Sequence, residues 1–154
     1  MKEQSVSDKR FETKTSSNTT INELNIFANS VKKYQDDHNN KWLEISDPAV
    51  TNLIMNTLGD TLNRQILGCV TSEPKTVMKI VSECGIPQTT GYSKIMGLIE
   101  YRFLIPYDTV QKIKGRQVNR YFSTLKELRI GMSDSYKITI QARLSEFLQN
   151  QSIM

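Results

Sequence analysis

The 154-residue chain contains 20 Lys or Arg and 16 Asp or Glu, so its formal net charge is +4, and 38% of its residues are hydrophobic. This length predicts one domain of about 110 residues preceded by a polar arm. The sequence has no apolar run long enough to span a membrane and no apolar N-terminal segment of the kind found in signal peptides, which predicts a cytoplasmic protein without a membrane partner.

The sequence offers little for catalysis or metal binding. Cys69 and Cys84 lie fifteen positions apart without a CxxC motif, and the single histidine, His38, lies in a polar linker beside Asp36 and Asp37. Neither a Gly-rich phosphate loop nor a nucleophile with a plausible base is present. We therefore predict no enzyme, no cofactor and no zinc site. The cysteines are interpreted as small buried hydrophobic residues, and a redox switch remains an open alternative.

The first 41 residues form the polar arm. Residues 1–20 are rich in Ser, Thr, Lys and Glu, a composition that predicts disorder. Residues 21–34 have helical spacing of Leu24, Phe27, Val31 and Tyr34. We predict a flexible arm over residues 1–41 with one marginal helix, and a partner-binding motif is the alternative. After the arm, Trp42, Leu43 and Ile45 are expected to dock onto the main domain.

Two helices are predicted next. Asp47 and Pro48 form a helix start, and apolar residues recur at helical spacing before Gly59. Asp60 then caps a second helix, which we expect to end near Glu73 and Pro74. Its apolar stripe consists of Leu62, Ile66, Leu67 and Val70.

The stretch from residue 76 to residue 105 predicts two short helices joined by a tight turn. Val77, Ile80, Val81 and Cys84 lie at helical spacing, and Gly85 supplies the left-handed residue that ends a helix. Pro87 fixes the entry to the following helix, which covers residues 88–101. The polar side chains of Gln88, Thr89 and Thr90 are expected to cap its first exposed amides.

One face of this second helix is small and polar. With Ile95 pointing inward, Thr89, Thr90, Ser93 and Gly97 point outward, and Gln88, Tyr92 and Lys94 lie on the flanks or at the tip. Such a face suits the DNA major groove, because no bulky side chain holds the helix away from the base edges. The alternative is an ordinary solvated helix face.

A basic hairpin is predicted directly after this helix, over residues 109–122, with its turn at Gly115. Lys112, Lys114, Arg116 and Arg120 fall in a stretch that has no acidic residue between Thr109 and Lys126. Residues 101–154 hold nine basic and four acidic residues, so the positive excess is concentrated here. A charged hairpin tip often serves only to protect a sheet edge. A basic hairpin that directly follows two such helices in the sequence, however, suits contact with phosphates, and Gln117 and Asn119 could then reach the minor groove.

A second hairpin follows the first. Leu128, Ile130 and Met132 alternate with polar residues, residues 133–135 form a turn, and Tyr136, Ile138 and Ile140 alternate again. This hairpin either extends the sheet of the first hairpin or makes a dimer contact. Residues 142–149 are predicted to form a short terminal helix, and residues 131–154 are treated as a C-terminal extension of a domain that covers residues 42–130.

The run from Leu58 to Tyr107 followed by KGRQVNRYFS resembles the winged helix-turn-helix transcription regulators of archaea and bacteria, in the broad ArsR-like group. The resemblance covers roughly residues 47–130, and its most specific part is IPQTTGYSKIMGLIEYRFL, which is similar to the family's iPxsTxYrxixxLixxgLi pattern. It implies an α+β winged helix-turn-helix fold with a three-helix core and a β-hairpin wing. It also implies a dimer that binds promoter DNA through the third helix and the wing.

The resemblance assigns the recognition segment to Gln88, Thr89, Thr90, Tyr92, Ser93 and Lys94, and the wing to Arg116 and its neighbours. In one departure, Ser93 stands where many relatives carry Arg after the Tyr, and Lys94 follows one place later.

Two functional hypotheses follow. The favoured one is a sequence-specific transcription regulator whose partners are double-stranded DNA and a second copy of the chain. Its predicted DNA contacts are Gln88, Thr89, Thr90, Tyr92, Ser93, Lys94, Lys112, Lys114, Arg116, Gln117 and Arg120. The alternative is a winged helix that binds another protein, which is favoured by the low charge of the helix face, since Lys94 is the sole cation between Gln88 and Glu100. No small-molecule effector site can be recognised in the sequence.

Overall fold

The computed structural model describes residues 42–111 and 114–148, which contain four α-helices and two three-stranded antiparallel sheets. This mixed content is the predicted α+β class. The predictions for the arm, for Lys112 and for residues 149–154 lie outside the described residues. The helices are α1 Pro48–Leu58, α2 Thr61–Cys69, α3 Val77–Cys84 and α4 Gln88–Glu100; the strands are β1 Leu43–Ile45, β2 Lys75–Thr76, β3 Leu104–Gln111, β4 Gln117–Ser123, β5 Leu125–Met132 and β6 Ile138–Leu144.

Aspartate side chains start the first two helices, as predicted. The Asp47 carboxylate accepts hydrogen bonds from the amides of Ala49 and Val50 at 2.9 and 3.1 Å. Asp60 accepts from the amides of Leu62 and Asn63 at 2.8 and 3.2 Å. These bonds satisfy donors that have no partner inside the helix.

Helix α2 ends at Cys69, so the prediction that it continues to Glu73 and Pro74 is wrong. Lys75 and Thr76 pair with Tyr121 and Arg120 as strand β2, and the intervening residues form the connection. A strand of two residues leaves no periodic pattern in a sequence, and this one depends on a partner more than forty residues away.

The turn between α3 and α4 has the predicted form. Gly85 adopts φ +62°, in the left-handed region that favours glycine, and Ile86 is buried behind it. Pro87 precedes the first residue of α4, and no side chain accepts a hydrogen bond from the first amides of the helix. The predicted capping by Gln88, Thr89 or Thr90 is therefore wrong, because proline occupies the capping position and the three side chains lie inside the first turn.

Helices α3 and α4 pack closely at Gly91, which is buried. A β-carbon added to Gly91 would lie 2.7 Å from a γ-methyl group of Val81. This distance is shorter than any ordinary carbon–carbon contact, so only glycine lets the two helices pack at this spacing. Sequence periodicity gave no sign of this role.

One sheet, which we call sheet B, has the strand order β2–β4–β3. The β3–β4 hairpin is longer than predicted, because pairing begins at Leu104 with Ser123 and continues to Gln111 with Gln117. The register shifts between Pro106 and Asp108, where proline has no amide proton to donate to the ladder.

The second sheet, sheet A, has the order β1–β6–β5. The predicted second hairpin is confirmed as β5–β6, but it joins β1 and does not extend sheet B. Ile45 of β1 is buried, which confirms that this segment docks on the domain.

The predicted terminal helix over residues 142–149 is wrong, since β6 continues to Leu144 and the last described residues, Glu146–Leu148, form a 3-10 turn. Ile140, Ala142 and Leu144 are all buried, so the apolar alternation of the strand continues beyond Ile140, where we predicted it to end, to Leu144.

Thr124 links the two sheets between β4 and β5. Its amide donates to the Phe103 carbonyl at 2.9 Å, its hydroxyl donates to the Arg102 carbonyl at 2.5 Å, and its carbonyl accepts from the Ser145 amide at 2.9 Å. Phe147 packs at the base of the β3–β4 hairpin, with its ring centroid 5.5 Å from that of Tyr107 and 5.6 Å from that of Phe122. The C-terminal turn therefore helps to hold the hairpin against the helices.

We expect Gly91→Ala to lower the free energy of unfolding by about 1–3 kcal/mol, because the added methyl group must displace the stiff Val81 side chain. Gly97→Ala is the matched control in the same helix, where an added β-carbon meets no atom within 4 Å. This control should raise the free energy of unfolding by about 0.5–1 kcal/mol. Urea denaturation of both variants tests the pair, and equal effects would refute a packing role for Gly91.

Candidate nucleic-acid interface

The first turns of α4 present a polar surface to solvent. Gln88, Thr89, Thr90 and Ser93 are exposed, whereas Ile95 on the opposite side is completely buried. This arrangement has the orientation predicted from periodicity. No side chain in the described part of the chain accepts a hydrogen bond from the first amides of the helix, so these amides can bond to an external acceptor.

The remaining members of the predicted helix surface are less accessible. Tyr92 is half-buried and packs against the core, and Gly97 is half-buried beside the α1–α2 connection. Ser93, Lys94 and Gly97 line a groove of about 500 Å³ that is shared with Asn56, Thr57, Asp60 and Asn63. The side of α4 that carries Ser93, Lys94 and Gly97 therefore borders this groove, whereas Gln88, Thr89 and Thr90 are exposed to solvent.

Lys94 forms an ion pair with Asp60, the residue that also starts α2. The hydrogen bond from Lys94 is the main cause that lowers the pKa of the Asp60 carboxyl. The positive charge of Lys94 is thus opposed within the molecule. These residues are 34 positions apart, and the sequence analysis missed the pairing because no local pattern connects them.

The tip of the β3–β4 hairpin carries accessible positive charge. Lys114, Arg116, Gln117 and Asn119 are all exposed, and the turn forms at Gly115 with φ +72°. Neither Lys114 nor Arg116 has an acidic partner in residues 42–111 or 114–148. These two cations combine exposure with an uncompensated charge.

Arg120 lies further from the tip and is neutralised. It lies opposite Asp108 in the hairpin, and its Nε donates to the Asp108 carboxylate at 2.6 Å while a second guanidinium nitrogen makes a parallel bond. This two-bond geometry holds the pKa of Asp108 below its usual range. Asp108 directly precedes the acid-free stretch found in the sequence, and the strand register brings it to Arg120.

A polar cluster surrounds Cys69 at the end of α2. Lys75 is buried and donates to Glu83 at 2.7 Å, and the Cys69 thiol donates to the same carboxylate at 3.1 Å. Burial and this hydrogen bond raise the pKa of Cys69 to about 11, so the group remains a protonated thiol at neutral pH. A reactive redox cysteine requires the opposite shift, so the cluster supports a structural role for Cys69. Cys69 and Cys84 are both only half-buried, and Cys69 makes polar contacts, so their interpretation as buried hydrophobic residues is wrong.

Across residues 42–111 and 114–148, no three His, Cys, Asp or Glu side chains come together as metal ligands. Within the same ranges, no helix is both long and apolar enough to cross a membrane.

No protein-family model matches the chain, and no curated protein matches its sequence. One similar solved structure is the homodimeric winged helix-turn-helix DNA-binding domain of a possible ArsR-family transcriptional regulator from Mycobacterium bovis, determined by solution NMR. The alignment covers 51% of this chain and 72% of that domain, with 17% sequence identity and a TM-score of 0.36.

The paired carboxylates predict how stability depends on pH. Hydrogen bonds from Arg120 and Lys75 lower the pKa values of Asp108 and Glu83, respectively, in the folded chain. Each group therefore stabilises the fold above its unfolded pKa, and this contribution is lost as the pH falls through the lower folded value. We expect the free energy of unfolding to decrease below about pH 4.

Asp108→Asn should make this decrease shallower, because asparagine does not titrate and the protonation of residue 108 then no longer favours unfolding. Asp134→Asn is the control, since Asp134 is exposed in the β5–β6 turn and makes no ion pair with any described residue. Urea titrations at pH 3, 4, 5 and 7, values chosen to bracket about pH 4, measure the effect. An unchanged pH profile for Asp108→Asn would contradict the assigned role of the pair.

Proposed function

We propose that this chain is a sequence-specific DNA-binding regulator with a winged helix-turn-helix architecture, in which α4 enters the major groove and the β3–β4 hairpin contacts the flanking backbone. One observation carries the proposal. The small polar N-terminal surface of α4 and the two uncompensated cations at the hairpin tip belong to consecutive elements that are packed on one core.

The surface of α4 has suitable chemistry for reading base edges. Gln88 can offer a donor and an acceptor to the N7 and N6 edge of adenine, and Thr89, Thr90 and Ser93 can donate, accept or contact a thymine methyl group. The short side chains allow the helix backbone to approach the floor of the groove. The uncapped amides of the first turn suit a phosphate oxygen at the edge of the groove.

The hairpin has suitable chemistry for contacts that do not depend on sequence. Lys114 and Arg116 supply charge for phosphates, and Gln117 and Asn119 supply neutral hydrogen-bonding groups that can reach the minor groove. Lys112 belongs to the same proposed set. The proposed contributions of Lys94 and Arg120 require each to leave its internal carboxylate partner.

We expect Lys114→Ala/Arg116→Ala to weaken binding to every duplex sequence and to reduce the slope of log affinity against log salt by up to about two. The slope arises because each cation that contacts a phosphate displaces counterions from the DNA, so fewer counterions are released when a contact is lost. Fluorescence anisotropy over a salt series measures both effects. Lys137→Ala is the control, because Lys137 is an exposed cation on the other hairpin; a loss of equal size in this variant would contradict the proposed wing.

Replacing Asp60 with asparagine should have the opposite effect. Asparagine keeps the cap of α2, since it is as good a capping residue as aspartate, but it removes the charge that holds Lys94. We expect Asp60→Asn to strengthen binding to all duplexes and to increase the salt slope by up to about one. Asp134→Asn removes a charge of the same sign far from α4 and is the control. Unchanged affinity in Asp60→Asn would show that Lys94 makes no DNA contact.

A second candidate function is recognition of another protein through the α3–α4 pair. A cleft of about 360 Å³ lies beside the turn and is lined by Val81, Ile86, Gln88 and Tyr92, with the exposed Met78 at its edge. A Met-containing apolar cleft adapts to peptide side chains. The same DNA titrations separate the two functions, since a protein-binding module would retain duplexes only weakly and without sequence preference.

A further inference from the structure

Strand β5 is the open edge of sheet A. The strand order β1–β6–β5 places β1 at one edge and β5 at the other, and no described strand pairs with the outer side of β5. An open edge has backbone donors and acceptors that can pair with a further strand. The feature does not depend on α4 or on the β3–β4 hairpin, so it is independent of the proposed DNA binding.

Exposed apolar side chains extend from this edge. Ile130 lies opposite the fully buried Ile140, and Met132 lies opposite Ile138, so Ile130 and Met132 are on the core-facing side of the sheet. They are nevertheless 47% and 61% exposed. Large exposed hydrophobic residues on an open edge are typical of an interaction surface.

The charged side chains of β5 favour pairing with another copy of the same strand. In an antiparallel pairing of β5 with the same strand of a second copy, the register centred on Leu128 places Glu127 of each copy opposite Arg129 of the other. Shifting the centre by one residue places Glu127 opposite Glu127 or Arg129 opposite Arg129, which is unfavourable. The strand is thus complementary to itself in one register.

Contacts within the subunit position both charged groups. The Glu127 carboxylate accepts from Arg143 at 3.4 Å, and the Arg129 guanidinium lies 4.0 Å from the centre of the Trp42 ring. Holding these side chains in place reduces the conformational entropy lost when a second strand arrives.

We propose that β5 pairs antiparallel with β5 of a second copy, centred on Leu128, and joins the two three-stranded sheets into one six-stranded sheet. A two-fold axis perpendicular to the sheet keeps both core-facing sides together, so Ile130 and Met132 of each copy pack towards the helical layer of the other. The partner is a second copy of this chain, selected by the Glu127–Arg129 complementarity.

Charge reversal tests this interface. Sedimentation equilibrium of the full chain at near-physiological salt should show a dimer. Arg129→Glu and Glu127→Arg should each weaken it by about tenfold or more, because each places two like-charged pairs at the axis. The double variant Glu127→Arg/Arg129→Glu should restore the dimer. The double variant still lacks the native contacts of Glu127 with Arg143 and of Arg129 with Trp42 within each subunit. A restored dimer therefore has to result from opposite charges that face each other across the interface.

Lys137→Glu is the matched control, since it reverses one exposed charge on the same hairpin outside the paired strand. Circular dichroism verifies that every variant is folded. A wild-type chain that stays monomeric would overturn the proposal. If the amides of β5 were protected from hydrogen exchange in that monomer, residues of the same chain would cover the open edge of the strand. A dimer that survives both single reversals would also overturn it, because its interface would lie elsewhere.

Discussion

The close contact between Gly91 and Val81 fixes how α4 lies on the rest of the domain. Because no β-carbon separates the two helices at this point, α4 packs tightly against α3 and buries Ile95 and Leu98 completely or almost completely. Its polar side is then directed to solvent, and its end at Glu100 leads into the β3–β4 hairpin within a few residues. The relative placement of helix surface and hairpin, on which the proposed function depends, follows from this packing.

Internal ion pairs determine how much of the positive charge is available to a partner. Lys94 and Arg120 are opposed by Asp60 and Asp108, respectively, whereas Lys114 and Arg116 are exposed without a described acidic partner. A count of basic residues therefore overstates the positive potential of this surface. In both ion pairs the carboxylate also has a place in the fold, since Asp60 starts α2 and Asp108 adjoins the register shift of β3.

Local patterns in the sequence predicted much of the helical part. Asp47 and Asp60 at helix starts, Gly85 at a helix end and the inward position of Ile95 all act through neighbouring residues, and each is confirmed. The capping of α4 was mispredicted locally, since Pro87 occupies the capping position, but most of the other missed features depend on distant partners. Strand β2 and the pairing of β1 with β6 join segments far apart in the chain, and the Lys94–Asp60 pair spans 34 positions. The spacing of Leu144, Phe147 and Leu148 suggested one face of a short helix, but Leu144 is buried at the end of β6 and the other two residues lie in the 3-10 turn. The predicted DNA contacts and the division into domains remain predictions.

Selection of bound sequences from a random duplex pool at near-physiological salt tests the central claim most directly. If α4 reads base edges, the wild-type chain should enrich a defined site, and Thr89→Ala should change the preferred bases while the hairpin contacts keep general affinity. A pool that remains random after repeated rounds, with weak retention that disappears as salt is raised, would contradict sequence-specific recognition and would favour the α3–α4 pair as a protein-binding surface.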